Sequence, residues 1–133
     1  MKFKYKKIAP GLIRPIIPIT LVHQGESIVY EGLVDSGADM CVFPAQIGEL
    51  IGLDIKKGQK SEFGGVVGKR EDVYYHDIVI EIGGNSTQIS AGFTYSSSFD
   101  YGFLGQKGLF TAYIVQFKYR KGIIDLRPDS SVN

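Results

Sequence analysis

The chain has 133 residues, 44% hydrophobic and 12% aromatic, enough to bury the core of one domain and too few for a second complete one. Fifteen basic residues against fourteen acidic ones leave a formal charge of +1, so there is no electrostatic case for nucleic acid as an obligatory partner. Cys41 is the only cysteine, which excludes an intrachain disulfide and leaves no argument for an oxidising compartment.

Lys2, Lys4, Lys6 and Lys7 form the one local excess of charge, most simply a solvated N-terminal arm. The apolar run after it is broken by Pro10, Arg14, Pro15 and Pro18, so it reads poorly as a signal peptide and not at all as a membrane span. A cytoplasmic protein without a membrane partner is the expectation.

Beyond Pro15 the hydrophobic period is two. Ile17, Ile19 and Leu21 alternate, Gln24-Gly25-Glu26-Ser27 turns the chain, and Ile28 to Asp35 returns, which predicts a hairpin. That hairpin delivers Asp35-Ser36-Gly37-Ala38-Asp39, a carboxylate at the end of an apolar strand followed at once by a hydroxyl residue and a glycine. Leu33 and Val34 bury the approach, Gly37 permits close backbone approach, and Ser36 both donates and accepts hydrogen bonds. Taken alone, Asp-Ser-Gly reads more simply as a turn between strands.

Met40 to Phe43 predicts a short strand stopped by Pro44, and Ala45 to Ile51 one or two helical turns ended by Gly52. Cys41, between Met40 and Val42, reads as a small buried hydrophobe. Ile55 to Phe63 and Arg70 to Ile82 predict a long hairpin bent at Gly64, Gly65 and Gly68, with Ile78, Ile80 and Ile82 on one face. Glycines at an exposed tip allow motion and close approach of a ligand, and a hairpin tip with no role is the plain alternative. Gly68-Lys69 is not a phosphate loop, because the first glycine is misplaced and Arg70 stands where Ser or Thr would bind magnesium.

Gly83-Gly84-Asn85-Ser86 is a strong turn signal, Thr87 to Tyr95 alternates as a strand, and Ser96 to Ser98 is a polar loop. Asp100 precedes Phe103-Leu104-Gly105 but lacks a following Ser/Thr-Gly, so it reads as a loop residue and not as a second catalytic carboxylate. Gln106 to Ala112 is a candidate short helix weakened by Gly108, and Tyr113 to Tyr119 with Ile123 to Leu126 closes the chain as a hairpin. His23 and His76 form no spaced metal motif and read as surface or strand-edge residues, so no metal and no cofactor is expected. Many strands at short spacing predict an all-β, closed, mostly antiparallel barrel-like domain over residues 1–133.

The Asp-Ser-Gly-Ala segment, the glycine-rich hairpin Phe63 to Gly68 and the Phe103-Leu104-Gly105 strand, in that order, resemble the retropepsins, the retroviral-type aspartic proteases. The resemblance runs from about Arg14 to Phe117. It implies a catalytic loop of Asp35, Ser36 and Gly37, substrate contacts from Ala38 and Asp39, and a flap of Gly64, Gly65, Val66, Val67 and Gly68. It also implies that the apolar-apolar-Gly strand is followed by a short helix. Arg14-Pro15 is similar to an Arg-Pro pair of viral members whose arginine meets the residue matching Asp39 on the partner chain. Gln106 departs from the pattern, since many viral members carry there an arginine that pairs with that aspartate. The C-terminus is also longer, and Phe-Leu-Gly-Gln-Lys-Gly-Leu-Phe looks closer to uncharacterised bacterial members.

One Asp-Ser-Gly per chain supplies one carboxylate, whereas hydrolysing a peptide needs one in base form and one in acid form. The resemblance implies a homodimer in which two Asp35 side chains share a proton, acting on a peptide or protein substrate. Two other readings stand beside it. One is a non-catalytic relative that binds extended peptides by strand addition, and the other is an assembly module whose Asp-Ser-Gly is structural.

Overall fold

The computed structural model describes residues 1–64, 70–96 and 98–130. Strand β1 (Lys2–Lys4) leads into a small hairpin of β2 (Lys6–Ala9) and β3 (Leu12–Arg14). Then β4 (Ile16–His23) and β5 (Glu26–Val34) pair from Ile16↔Leu33 to His23↔Glu26. Their loop is Gln24 and Gly25 at φ 47° and 82°, the left-handed pair whose twist matches that of the flanking strands. The return strand ends at Val34, one residue before the expected limit, and leaves Asp35 on the loop.

Strand β6 (Cys41–Pro44) runs directly into α1 (Ala45–Leu50), as the sequence predicts. The helix closes where Gly52 N donates to Glu49 O at 3.0 Å and Leu53 N to Gly48 O at 3.1 Å, the two bonds of a Schellman end. The expected strand from Ile55 does not start there. Ile55–Lys57 is a 3₁₀ turn, with Lys57 N on Asp54 O at 3.1 Å, because Ile55 is buried in the core while Lys56 and Lys57 break the alternation. Strand β7 (Gln59–Gly64) follows and pairs with the first half of β8 (Arg70–Ile82). The tip expected at Gly65, Val66, Val67 and Gly68 lies outside the described residues.

The second half of β8 pairs with both β4 and β9 (Asn85–Thr94), which bends this long strand from the β7 hairpin into the barrel. Strands β10 (Gly102–Leu104), β11 (Tyr113–Lys118) and β12 (Ile123–Pro128) complete the order. The ring β4-β5-β10-β6-β9-β8 closes on itself through the β4–β8 pairing, giving a closed barrel of six strands. The pairs β5–β10 and β6–β9 are parallel and the others in the ring antiparallel.

The alternation read from the sequence fills this barrel. Ile17, Ile19 and Leu21 of β4 meet Ile78, Ile80 and Ile82 of β8, with Phe43 and Phe93 at 5.9 Å between ring centres. Cys41 is fully buried, and burial pushes its thiol pKa upward, which keeps it protonated and inert. His76 is not simply a surface residue: its Nε2 donates to Ile55 O at 2.8 Å and its ring lies edge-on to Phe93.

Two further expectations are corrected. Gln106 to Ala112 is a series of turns and not a helix. Gly108 has φ +118°, outside the helical region, and a Cβ on it would stand 2.7 Å from Cys41 Sγ, so the chain is pulled out of helix to pack on β6. Nor is the lysine-rich start wholly a solvated arm: its four lysines are exposed, but the backbone of Lys2–Lys4 is paired. Strand β1 pairs antiparallel with β12 through Lys2↔Asp125, Phe3↔Ile124 and Lys4↔Ile123, in a sheet ordered β1-β12-β11. Lysines alternate with Phe3 and Tyr5, which pack against the core, so the period of two is present but its partner lies at the other end of the chain. Among the described residues no helix is long and apolar enough to cross a membrane.

Candidate active site

Strand β5 runs through the barrel wall beside β10, in register from Gly32↔Gly102 to Val34↔Leu104. Leu104 is fully buried and packs over Gly32, where a Cβ would come within 2.7 Å of its Cγ. The barrel interior thus holds both strands rigidly up to the residue before Asp35. Asp35 N then donates to Leu104 O at 3.0 Å, and the chain leaves the sheet.

The loop folds around the Asp35 carboxylate. Gly37 N donates to Asp35 Oδ1 at 2.9 Å and Ala38 N to Asp35 O at 3.2 Å, which makes a local turn that fixes the side chain while leaving it half-exposed. Ser36 and Gly37 are exposed, Ala38 is half-buried and Asp39 is exposed. Three further bonds clamp the loop from the segment after β10. Gln106 N donates to Ala38 O at 2.8 Å, Lys107 N to Asp39 O at 2.9 Å, and Gln106 Nε2 to Ser36 O at 2.6 Å. Gly105 makes this clamp possible: a Cβ there would lie 2.4 Å from Met40 O and 2.6 Å from Ala38 O. Gln106 therefore holds the loop by its backbone and through the Ser36 carbonyl. Among the described residues Asp39 makes no ion pair.

Beside the loop opens a cavity of about 360 Å³, bordered by Gly37 to Met40 on one side. Val42, Val73, Phe99 and Phe103 give it an apolar wall, and Thr94 and Ser96 a polar corner. Val73 belongs to β8 where that strand still pairs with β7, so the cavity lies between the Asp35 loop and the base of the glycine hairpin. Phe99, Tyr101 and Phe103 form a ring cluster with centres 5.4 to 5.8 Å apart, which stiffens the outer wall.

The structure thus brings Gly37, Ala38 and Asp39 to one cavity with Asp35 and Ser36 on the same loop. Gly64 ends β7, and Gly65, Val66, Val67 and Gly68 lie outside the described residues. Sequence reasoning does not single out the wall residues Val42, Val73, Phe99 and Phe103. Val42 carries a readable signal, as the out-of-core member of the alternation Cys41, Val42, Phe43, and Phe103 sits in the Phe-Leu-Gly motif. Val73 carries none, since it reaches the cavity from a distant stretch of the chain, and Phe99, four residues before Phe103, sits in a polar loop that gives no sign of a wall. Asp100 is exposed and does not line the cavity. It lies near Tyr30, whose phenol is pushed upward by burial first and then by Asp100 and Glu31. Among the described residues no three His, Cys, Asp or Glu side chains converge as a metal-holding group.

No family profile and no curated relative matches this chain. Solved structures do. A retropepsin-like aspartic protease from Rickettsia conorii superposes with a TM-score of 0.66 at 14% identity, covering 95% of this chain and 89% of that one. The retroviral protease-like domain of Ddi1 from Leishmania major gives 0.62 at 16% identity, over 90% of this chain and 98% of that one. EIAV protease, solved with the inhibitor HBY-793, gives 0.53 at 19% identity over 70% of this chain and 82% of that one. Identities this low speak for architecture alone, and the architecture they share with this chain is the retropepsin-like fold.

Proposed function

We propose that this chain is an aspartic endopeptidase that works as a homodimer, with Asp35 from each copy forming the catalytic pair. The observation that carries the reading is the Asp35 loop itself. A half-exposed carboxylate is held by Gly37 N, clamped from Gly105 to Lys107, and set beside an apolar cavity on a fold whose solved neighbours include proteases.

One chain presents one such carboxylate, so a second copy completes the chemistry. Two carboxylates a few ångströms apart do not both ionise readily, and the pair keeps one proton between them. The ionised member takes a proton from water as the oxygen adds to the scissile carbonyl carbon, and the protonated member gives its proton to the carbonyl oxygen. The tetrahedral diol then collapses: the newly protonated carboxyl gives its proton to the leaving amine as the C–N bond breaks, and a hydroxyl of the diol returns a proton to the other carboxylate, so the pair again holds one. Ala38, Asp39 and the hairpin residues Gly64, Gly65, Val66, Val67 and Gly68 are assigned to an extended peptide lying between loop and hairpin. The cavity suits an apolar side chain of that peptide, because its wall is Val42, Val73 and Phe103. The reading takes residues 1–133 as a single working domain. It places that domain in the reducing cytoplasm, where the free, buried Cys41 thiol is at home.

The test is Asp35→Asn. The amide has nearly the same shape but cannot share a proton, so peptide hydrolysis disappears while circular dichroism and solution mass stay as in the parent. Turnover that persists in a preparation free of contaminating protease refutes the assignment.

A further inference from the structure

The hairpin of β2 and β3 stands out for its lack of cover. All four residues of β2 are exposed. Ile8 and Leu12 keep 41% and 45% of their surface in solvent. Neither joins the partly buried side chains, such as Phe3 and Tyr5 just before them, that pack on the core. A two-stranded hairpin on its own is marginal in water. This one nevertheless has a defined form, with Pro10 and Gly11 (φ 73°) in its turn and a register shift between Lys7 and Ala9 that makes Ile8 a bulge.

Its anchors to the barrel are at its base. Lys6 Nζ bonds Glu31 Oε1 at 2.5 Å, and Arg14 Nη1 donates to the Tyr101 hydroxyl at 3.1 Å. That base adjoins the Asp35 loop, because Pro15 O, next after β3, accepts from Val34 N at 2.8 Å. If two Asp35 side chains meet across a two-fold axis, the axis passes beside this base. From Arg14 to the Pro10 turn the strand reaches roughly 13 Å at about 3.3 Å per residue, enough to cross such an axis onto the other copy.

Charge points the same way. Residues 6–14 carry Lys6, Lys7 and Arg14 and no acid, while the loop rim offers Asp35 and an exposed Asp39 with no ion pair among the described residues. The terminal strands are already engaged with each other, since β1 and β12 pair within one chain.

We infer that the β2–β3 hairpin is an arm that packs on a second copy of this chain, covering Ile8 and Leu12 and bringing Lys7 to the acidic Asp35–Asp39 rim. This rests on the dimeric reading above and adds the surface that forms the dimer. The strongest competing surface is the edge strand β11, where Ile114 and Phe117 are 43% and 42% exposed.

The experiment measures solution mass by sedimentation equilibrium, together with peptide hydrolysis and peptide binding, for four proteins. These are the parent, Ile8→Asp with Leu12→Asp, Lys7→Glu, and Ile114→Asp with Phe117→Asp. The parent is expected to be a dimer. The Ile8/Leu12 variant should keep its circular dichroism, because both side chains lie outside the core, and should dissociate with a constant raised about tenfold or more. Its turnover should return as concentration rises. Lys7→Glu, a surface change that disturbs no packing, should weaken the dimer more at low salt than at high.

A parent that stays monomeric, or dimers unchanged in both hairpin variants, overturns the inference. So does dissociation confined to the Ile114/Phe117 variant. Loss of peptide binding at unchanged mass would assign the hairpin to substrate and overturn it equally. Mass alone decides the arm. A parent that dimerises through the hairpin yet hydrolyses nothing upholds the arm and refutes the enzyme.

Discussion

Replacing Gly105 by alanine tests whether the Asp35 loop is held by close approach of two backbone segments. The added Cβ would lie 2.4 Å from Met40 O and 2.6 Å from Ala38 O. Comfortable carbon–oxygen separations are about 3.3 Å or more. Both obstacles are backbone atoms, so no side chain can swing aside, and the segments must part by roughly 0.8 Å. The bonds Gln106 N to Ala38 O at 2.8 Å and Lys107 N to Asp39 O at 2.9 Å then stretch past hydrogen-bond range.

Two such bonds contribute together about 1–3 kcal/mol, and residual crowding adds about 1 kcal/mol or more. A loss of about 2–4 kcal/mol follows, a large share of the stability of an ordinary domain and a fall of roughly 10 °C in melting temperature. Turnover should fall further than stability, because the same displacement moves the Asp35 carboxylate, and misplacement by about 1 Å costs about a hundredfold in rate. The assay pairs denaturant unfolding with hydrolysis measured well below the midpoint, where the variant is folded. A Gly105→Ala protein that melts with the parent and turns over at the parental rate would show that the two segments are free to part, and the clamp would lose its meaning.

Gln106→Ala removes the 2.6 Å bond to Ser36 O but leaves the backbone clamp, so kcat should drop up to about tenfold with KM little changed; a raised KM at unchanged kcat would place Gln106 in substrate binding instead. Asp125→Asn reports on the terminal sheet. Burial pushes the Asp125 carboxyl up, but the Met1 ammonium and Lys118, each at 3.5 Å, outweigh it and hold the pKa below its ordinary value. A carboxyl lowered by folding stabilises above its unfolded pKa and loses that contribution as pH falls through its folded one. The variant should therefore melt below the parent at neutral pH, with the gap closing on strong acidification, and a gap independent of pH would rule out the ion pairs as its source.

Features set by neighbours along the chain are legible in the sequence. The Gln24-Gly25 and Gly83-Gly84 turns, the Gly52 helix stop and the alternating core of β4 and β8 depend on backbone preferences or burial patterns that span a few residues. The carboxylate loop is legible for the same reason, since Gly37 N and Ala38 N both donate to Asp35. Features set by distant contacts are not. Gln106 to Ala112 has helix-forming residues, yet Gly108 must lie against Cys41 from another strand, and that packing overrides local propensity. The cavity wall joins Val42, Val73 and the Phe99–Phe103 pair from three separate stretches, none of which announces the others.

The N-terminal strand shows how far such override extends. Lys2-Phe3-Lys4-Tyr5 alternates perfectly, but a lone exposed strand of that length has no stability of its own, and its lysines argue for solvent. Pairing with Ile123–Asp125 closes a loop of nearly the whole chain, yet closure cost grows only with the logarithm of length. That cost is met locally once β11 and β12 have formed their hairpin, because Ile124 and Leu126 then present a fixed edge for Phe3 and a carbonyl, Leu126 O, for the Met1 ammonium at 2.7 Å. The same pairing decides what a second copy can use. Strands that satisfy each other within one chain have no inner edge to exchange, so that sheet offers a second copy only its outer edges, whereas the uncovered hairpin after β1 is surface that adjoins the Asp35 loop.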